Sequence, residues 1–199
     1  MFVTFEGLDG SGKSTQAALL HEYLASTGRQ AVLTREPGGT PLGEEIREFV
    51  LHRHLEITPW AEAALFAAAR AELVDRVIQP ALERGEDVIC DRYIDSSLAY
   101  QGIARNLGMD RVLELNLQAT RGLLPDRTFL VQVDPGEAER RREGAPDRIE
   151  REDDTFRARV EAGYRELATL FPRRVVQVDA SRPADEIAIL IRGQVRDLL

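Results

Sequence analysis

Apolar residues along the chain follow two alternating rhythms. Short runs rich in β-branched and aromatic residues at 2–6, 31–34, 88–90, 129–133 and 175–178 predict five strands. Longer stretches with helical spacing lie between them, at 13–26, 42–51, 59–83, 96–106, 110–122 and 183–199. Gly28 follows the first of these as a helix-ending glycine, and Pro80 predicts a bend late in the third. Strands alternating with helices imply a parallel sheet with right-handed crossovers, hence an α/β fold. One domain over 1–199 is expected. A dense run of charge over 137–154 breaks the alternation and reads as a mobile insertion.

Composition narrows the class. With 43% hydrophobic and 30% charged residues the chain reads as soluble and globular. A net charge of −8 argues against a general binder of nucleic acid or membrane surfaces. No apolar run approaches the length of a membrane span. The lone cysteine, Cys90, sits in an apolar strand and reads as a buried thiol. The first strand begins at Phe2, so no signal peptide is expected and the cytoplasm is the expected compartment.

Chemistry enters at Gly7-Leu8-Asp9-Gly10-Ser11-Gly12-Lys13-Ser14-Thr15. This segment follows a strand, opens a helix and fits G-x-x-x-x-G-K-[ST] at every fixed position. Its backbone N–H groups and the helix N-terminus form a cradle for polyphosphate. Lys13 would bridge the β- and γ-phosphates, and the Ser14 hydroxyl would ligate Mg²⁺. Of the 26 cationic residues, Lys13 is the one lysine. Elsewhere the chain uses arginine, whose wide planar fork would not fit the same hole. Because no other lysine exists, an Asn-Lys-x-Asp guanine-reading motif is excluded, and the length leaves no room for a large motor ATPase. A compact phosphotransferase remains. Asp91, after an apolar strand, falls at the carboxyl edge of the sheet, where it could hold a metal-bound water. The adjacent Arg92 could clamp phosphate oxygens bidentately.

Three segments together carry a resemblance. They are the loop 7–15, the run Thr34-Arg35-Glu36-Pro37-Gly38-Gly39-Thr40, and Asp91-Arg92-Tyr93-Ile94-Asp95-Ser96-Ser97-Leu98-Ala99-Tyr100-Gln101. With Phe66-Ala67-Ala68-Ala69-Arg70 and Asp179-Ala180, the chain resembles the thymidylate kinase family over nearly its whole length. The resemblance implies a P-loop nucleoside-monophosphate kinase fold and transfer of the γ-phosphoryl of ATP to dTMP, with Mg²⁺, in a homodimer.

The resemblance also implies roles. Arg92 would contact the acceptor phosphate and the group in transfer, and Asp9 would hold the sugar 3′-hydroxyl or the metal. The base would lie between Phe66 and Pro37, with Arg70 donating to thymine O4, Ser97 facing N3 and Gln101 alongside. An aromatic in an Ala-rich helix equally serves a core, so both readings of Phe66 stand. Tyr100 would pack under the sugar and leave no room for a 2′-hydroxyl. Arg47 could reach the acceptor phosphate or simply be an exposed helix residue, and Glu36 could close the acceptor side. Some family members carry an arginine in the phosphate loop at the position held here by Gly10. Those without it supply arginines from a lid, here at about 137–152, with Arg140, Arg141, Arg142 and Arg148 as candidates and Arg141 and Arg148 favoured. Asp179-Ala180 would border adenine. A deoxynucleoside kinase or another nucleotide-dependent ATPase remains the alternative.

Overall fold

The protein is described by a computed structural model covering residues 1–53, 55–141 and 145–198. Five parallel strands, β1 (Phe2–Glu6), β2 (Ala31–Arg35), β3 (Asp87–Asp91), β4 (Arg127–Gln132) and β5 (Val175–Asp179), form one sheet in the order β2-β3-β1-β4-β5. The central strand β1 is buried throughout. Side chains alternate along it, so Val3 and Phe5 join one core layer and Phe2 the other.

The first layer packs Val3, Phe5, Phe129 and Val131 against helices α1 (Lys13–Ser26) and α9 (Ala184–Val195), through Ala17, Leu20, Leu24, Ile187 and Ile191. The second layer is larger. It holds α2 (Pro41–Arg47), α3 (Pro59–Leu73), α4 (Gln79–Glu83), α5 (Ile94–Ser97) and α6 (Met109–Ala119). Thr40 caps α2, accepting a bond from the Gly43 N–H at 3.0 Å, with Pro41 at the first helical position. A wide helical segment, Leu98–Ala104, prolongs α5 and packs against α6.

The predicted helix over 59–83 is α3 and α4 joined by a wide π-type segment, Val74–Ile78. The irregularity comes just before Pro80, where a missing N–H and a ring clash make a regular turn costly. A 17-residue helix, α8 (Asp154–Leu170), was not foreseen. Its buried stripe, Phe156, Val160, Gly163, Tyr164, Leu167 and Ala168, is regular but set among charges. Asp153 caps it by accepting the Phe156 N–H at 2.8 Å.

Within the charged run expected to be a mobile insertion, the described residues hold the end of α7 (Pro135–Arg141) and a turn over 148–151, with Ala138 and Ile149 buried. The Arg148 N–H donates to the Leu51 carbonyl at 2.8 Å. Among the described residues, no helix is long and apolar enough to cross a membrane.

Candidate active site

The carboxyl ends of β1, β3 and β4 meet where the chain order reverses across the sheet, the usual place for a ligand crevice in an open parallel sheet. Two adjoining cavities open there. The larger runs along the glycine loop and is lined by Asp9 through Thr15, together with Asp91, Arg141 and Ala180. The smaller is lined by all ten residues expected around the acceptor: Asp9, Glu36, Pro37, Arg47, Phe66, Arg70, Arg92, Ser97, Tyr100 and Gln101. Leu51, Ser96, Asp147 and Ile149 complete its wall and were not foreseen.

Gly7 and Leu8 line neither cavity. Gly7, at φ 137°, passes so close to β4 that a Cβ would lie 2.3 Å from the Val131 carbonyl oxygen. The Leu8 carbonyl accepts the Lys13 ammonium at 2.7 Å. Lys13 is buried and also stands 3.5 Å from the Asp9 carboxylate. Gly10, at φ 80°, lies under α7, where a Cβ would be 2.0 Å from the Ala138 carbonyl oxygen. A side chain there would have to displace α7 from this position.

The Ser14 hydroxyl donates to Asp91 Oδ2 at 2.5 Å. This pair sets two hard oxygen donors beside the cradle, a donor set suited to Mg²⁺. Asp9 bonds Arg92 Nη2 through Oδ1 at 2.6 Å. Burial opposes ionisation of Asp9, but Arg92 and Lys13 outweigh it and hold its pKa well below the usual carboxylate range. Arg92 itself has φ 70°, and its guanidinium stacks 5.4 Å from the centre of the Tyr100 ring.

Arg70 is fully buried beside the acceptor cavity. Its Nε donates to Glu36 Oε2 at 2.7 Å, Nη1 to Ser97 at 2.9 Å and to Asn116, and Nη2 to the Tyr93 carbonyl at 3.0 Å, while Nη2 also stands 2.6 Å from the same Glu36 oxygen in the ion pair. Among the described residues, four of the five N–H groups of this guanidinium are thus hydrogen-bonded. The expected contact with thymine O4 would draw on the remaining Nη2 proton or on exchange of one of these bonds. Glu36 is buried, and its second oxygen, Oε1, has no hydrogen-bond partner. Burial pushes its pKa up to about 7, against the pull of Arg70. Arg47 donates to the Pro37 carbonyl at 2.9 Å and lines both cavities, so it is not a free surface arginine. Phe66 is only partly buried: it packs on the core and also borders the acceptor cavity.

The lid candidates separate. Arg141 lines the larger cavity and reaches the Ala180 carbonyl at 3.1 Å. Arg140 is exposed and pairs with Glu137. Arg142 lies outside the described residues. Arg148, expected at the transferring phosphate, lines neither cavity. It donates to Glu62 at 2.6 Å and to the Val50 carbonyl at 2.7 Å. Buried Glu62 gathers Gln101 and Arg105 as well, a hub the sequence did not reveal. Ala180 borders the cavity, while Asp179 accepts the Ser181 N–H at 3.0 Å.

Comparison with known proteins agrees with this geometry. The family model described as thymidylate kinase matches residues 5–191. A thymidylate kinase from Leifsonia xyli subsp. xyli is 56% identical over 195 residues, covering 96% of this chain and 92% of the relative. One from Deinococcus radiodurans is 48% identical over 199 residues, 99% of this chain and 97% of that one. A crystal structure of thymidylate kinase from Ehrlichia chaffeensis superposes with a TM-score of 0.82 at 34% identity, covering 98% of both chains. With a family model spanning nearly its full length and relatives this similar, the chain belongs to the thymidylate kinase family.

Proposed function

We propose that ATP occupies the larger cavity and dTMP the smaller, and that phosphoryl transfer takes place where the two join. Membership of the family makes the chain a kinase that carries the γ-phosphoryl of ATP to dTMP, giving dTDP and ADP. The observation that carries the division is that Asp9, Glu36, Arg47 and Arg92 line both cavities. A donor and an acceptor phosphate would meet at two arginines there, and phosphoryl transfer needs mainly alignment and neutralised charge.

In this reading Lys13 moves from the Leu8 carbonyl to the β- and γ-phosphates, held by the cradle of Asp9–Thr15. Mg²⁺ is the divalent ion proposed, with Ser14 and Asp91 holding it directly or through water. When bound, it would neutralise charge on the phosphates. Phe66 stacks on the pyrimidine opposite Pro37, Ser97 and Gln101 meet its edge, and Arg70 donates to O4. Tyr100 fills the space beneath the sugar. The lid is the segment at about 137–152, with Arg141 as the arginine that reaches the transferring group. Arg148 acts as an anchor of that lid.

The chain is proposed to work as a homodimer in the cytoplasm. Trp60, Ala61, Ala64 and Ala68 form an exposed stripe of α3 that suits a flat helix contact. A monomeric mass by light scattering would remove the dimer from this reading. The central test is an ADP-release assay with ATP, Mg²⁺ and each nucleoside monophosphate in turn. Turnover of dTMP far above UMP, AMP and thymidine is expected. Preference for thymidine over dTMP would favour a deoxynucleoside kinase.

A further inference from the structure

Arg92 is held from behind by a carboxylate that touches neither cavity. Glu6 ends β1 and is fully buried. Its Oε1 accepts the backbone N–H of Tyr93 at 2.8 Å and of Ser96 at 3.2 Å. Its Oε2 accepts the Ser96 hydroxyl at 2.5 Å and the Tyr164 hydroxyl at 2.9 Å. A hydroxyl has a single proton to give. With both protons committed to Glu6, the lone pairs of Ser96 and Tyr164 are left for Arg92 Nη1, which lies 3.1 Å from one and 3.2 Å from the other.

The consequence falls on the guanidinium. Nη1 spends its two protons on those hydroxyls, and Nη2 gives one to Asp9. The remaining N–H groups of the fork, beside Tyr100, are then those that would meet the oxygens of an acceptor phosphate. The backbone N–H of Tyr93, bound to the same carboxylate, also secures the turn in which Arg92 holds its left-handed φ of 70°. That conformation is unfavourable for a residue with a Cβ unless its surroundings fix it.

We propose that Glu6 is a positioning residue for phosphoryl transfer: it turns the Ser96 and Tyr164 hydroxyls into acceptors for Arg92 and so fixes which edge of the guanidinium faces the acceptor phosphate. The proposal rests on the reading of Arg92 as the residue that binds that phosphate. Burial and Asp95 push the Glu6 pKa up to about 6, against Arg92, which leaves it ionised in an assay at about pH 8.

The test compares Glu6→Gln, Tyr164→Phe, Arg92→Ala and the Glu6→Gln/Arg92→Ala double variant by steady-state kinetics and thermal melting. A carboxamide at position 6 donates where the carboxylate accepted, so the hydroxyl protons turn towards Arg92. The expected result for Glu6→Gln is a rise of about tenfold in the KM for dTMP, with the KM for ATP within about twofold. Tyr164→Phe should move the dTMP KM in the same direction by a smaller factor. The double variant should be no worse than Arg92→Ala, because both act through one guanidinium. An unchanged dTMP KM in Glu6→Gln, or an additive double variant, overturns the proposal. If Glu6→Gln does not fold, Tyr164→Phe and Ser96→Ala decide, and an unchanged dTMP KM in both overturns it. Normal dTMP turnover by Arg92→Ala would instead remove the reading of Arg92 on which the proposal rests.

Discussion

Arg148, on the charged turn, and Gln101, in the acceptor wall, donate to the same buried carboxylate, Glu62, at 2.6 Å and 2.9 Å. Arg105 adds two further bonds to that carboxylate and pairs with Glu152 at 2.6 Å. The turn is therefore tied to α3 and to the acceptor cavity through one side chain. Burial raises the Glu62 pKa, but bonds from Gln101, Arg105 and Arg148 prevail and hold it below its ordinary value.

Glu62→Gln should destabilise the protein by about 3 kcal/mol, since it leaves two arginines without their buried counter-charge. Urea unfolding at neutral pH measures this, and a loss under about 1 kcal/mol would show that the hub is not structural. The sign with pH follows from the depressed pKa. The stabilisation is present above the unfolded carboxylate pKa and fades as pH falls through the folded one.

Glu36 should act in the opposite sense. Its pKa, raised to about 7, means that the folded state binds a proton more readily than the unfolded chain. Stability should therefore fall as pH rises from about 4.5 to about 7, by at most about 3 kcal/mol from this group. Glu36→Gln should flatten that part of the stability–pH curve. A curve unaltered by the substitution would mean that the Arg70 pair keeps Glu36 ionised throughout.

Lys13→Arg should lower kcat by at least about a hundredfold. The Lys13 ammonium occupies a buried slot 2.7 Å from the Leu8 carbonyl, and a guanidinium is too wide for it. Turnover near the wild-type rate would defeat the steric argument.

Tyr100→Ala should reduce discrimination between dUMP and UMP by about tenfold in kcat/KM. The ring is nearly buried against Phe156 and Tyr164 and presents an edge of the acceptor cavity. Comparing two uracil nucleotides isolates the sugar. An unchanged ratio would place the selection elsewhere.

The strands and the phosphate cradle were legible because their signals are local. Gly7 to Thr15 carries its glycines, its lysine and its hydroxyl in consecutive positions. The helix α8 was hidden because its buried stripe is thinned by charge, although Asp153 and the spacing Phe156, Val160, Tyr164, Leu167 could have revealed it. Longer-range bonds were out of reach. Tyr164 and Glu6 meet across 158 residues, and nothing in either neighbourhood announces the other. The same holds for Arg148, a charged residue in a charged run whose partner lies 86 positions away. Arg70 was read as a donor to thymine O4, and its bonds to Glu36, Ser97, Asn116 and the Tyr93 carbonyl, which join segments 23 to 46 positions apart, could not be read from its own neighbourhood.

Gly10 and Ala138 approach one another across a single small volume. A Cβ at position 10 would lie 2.0 Å from the Ala138 carbonyl oxygen, so any side chain added there would have to displace α7. The hydrogen atom on one glycine is thus what lets the charged segment come down onto the phosphate cradle.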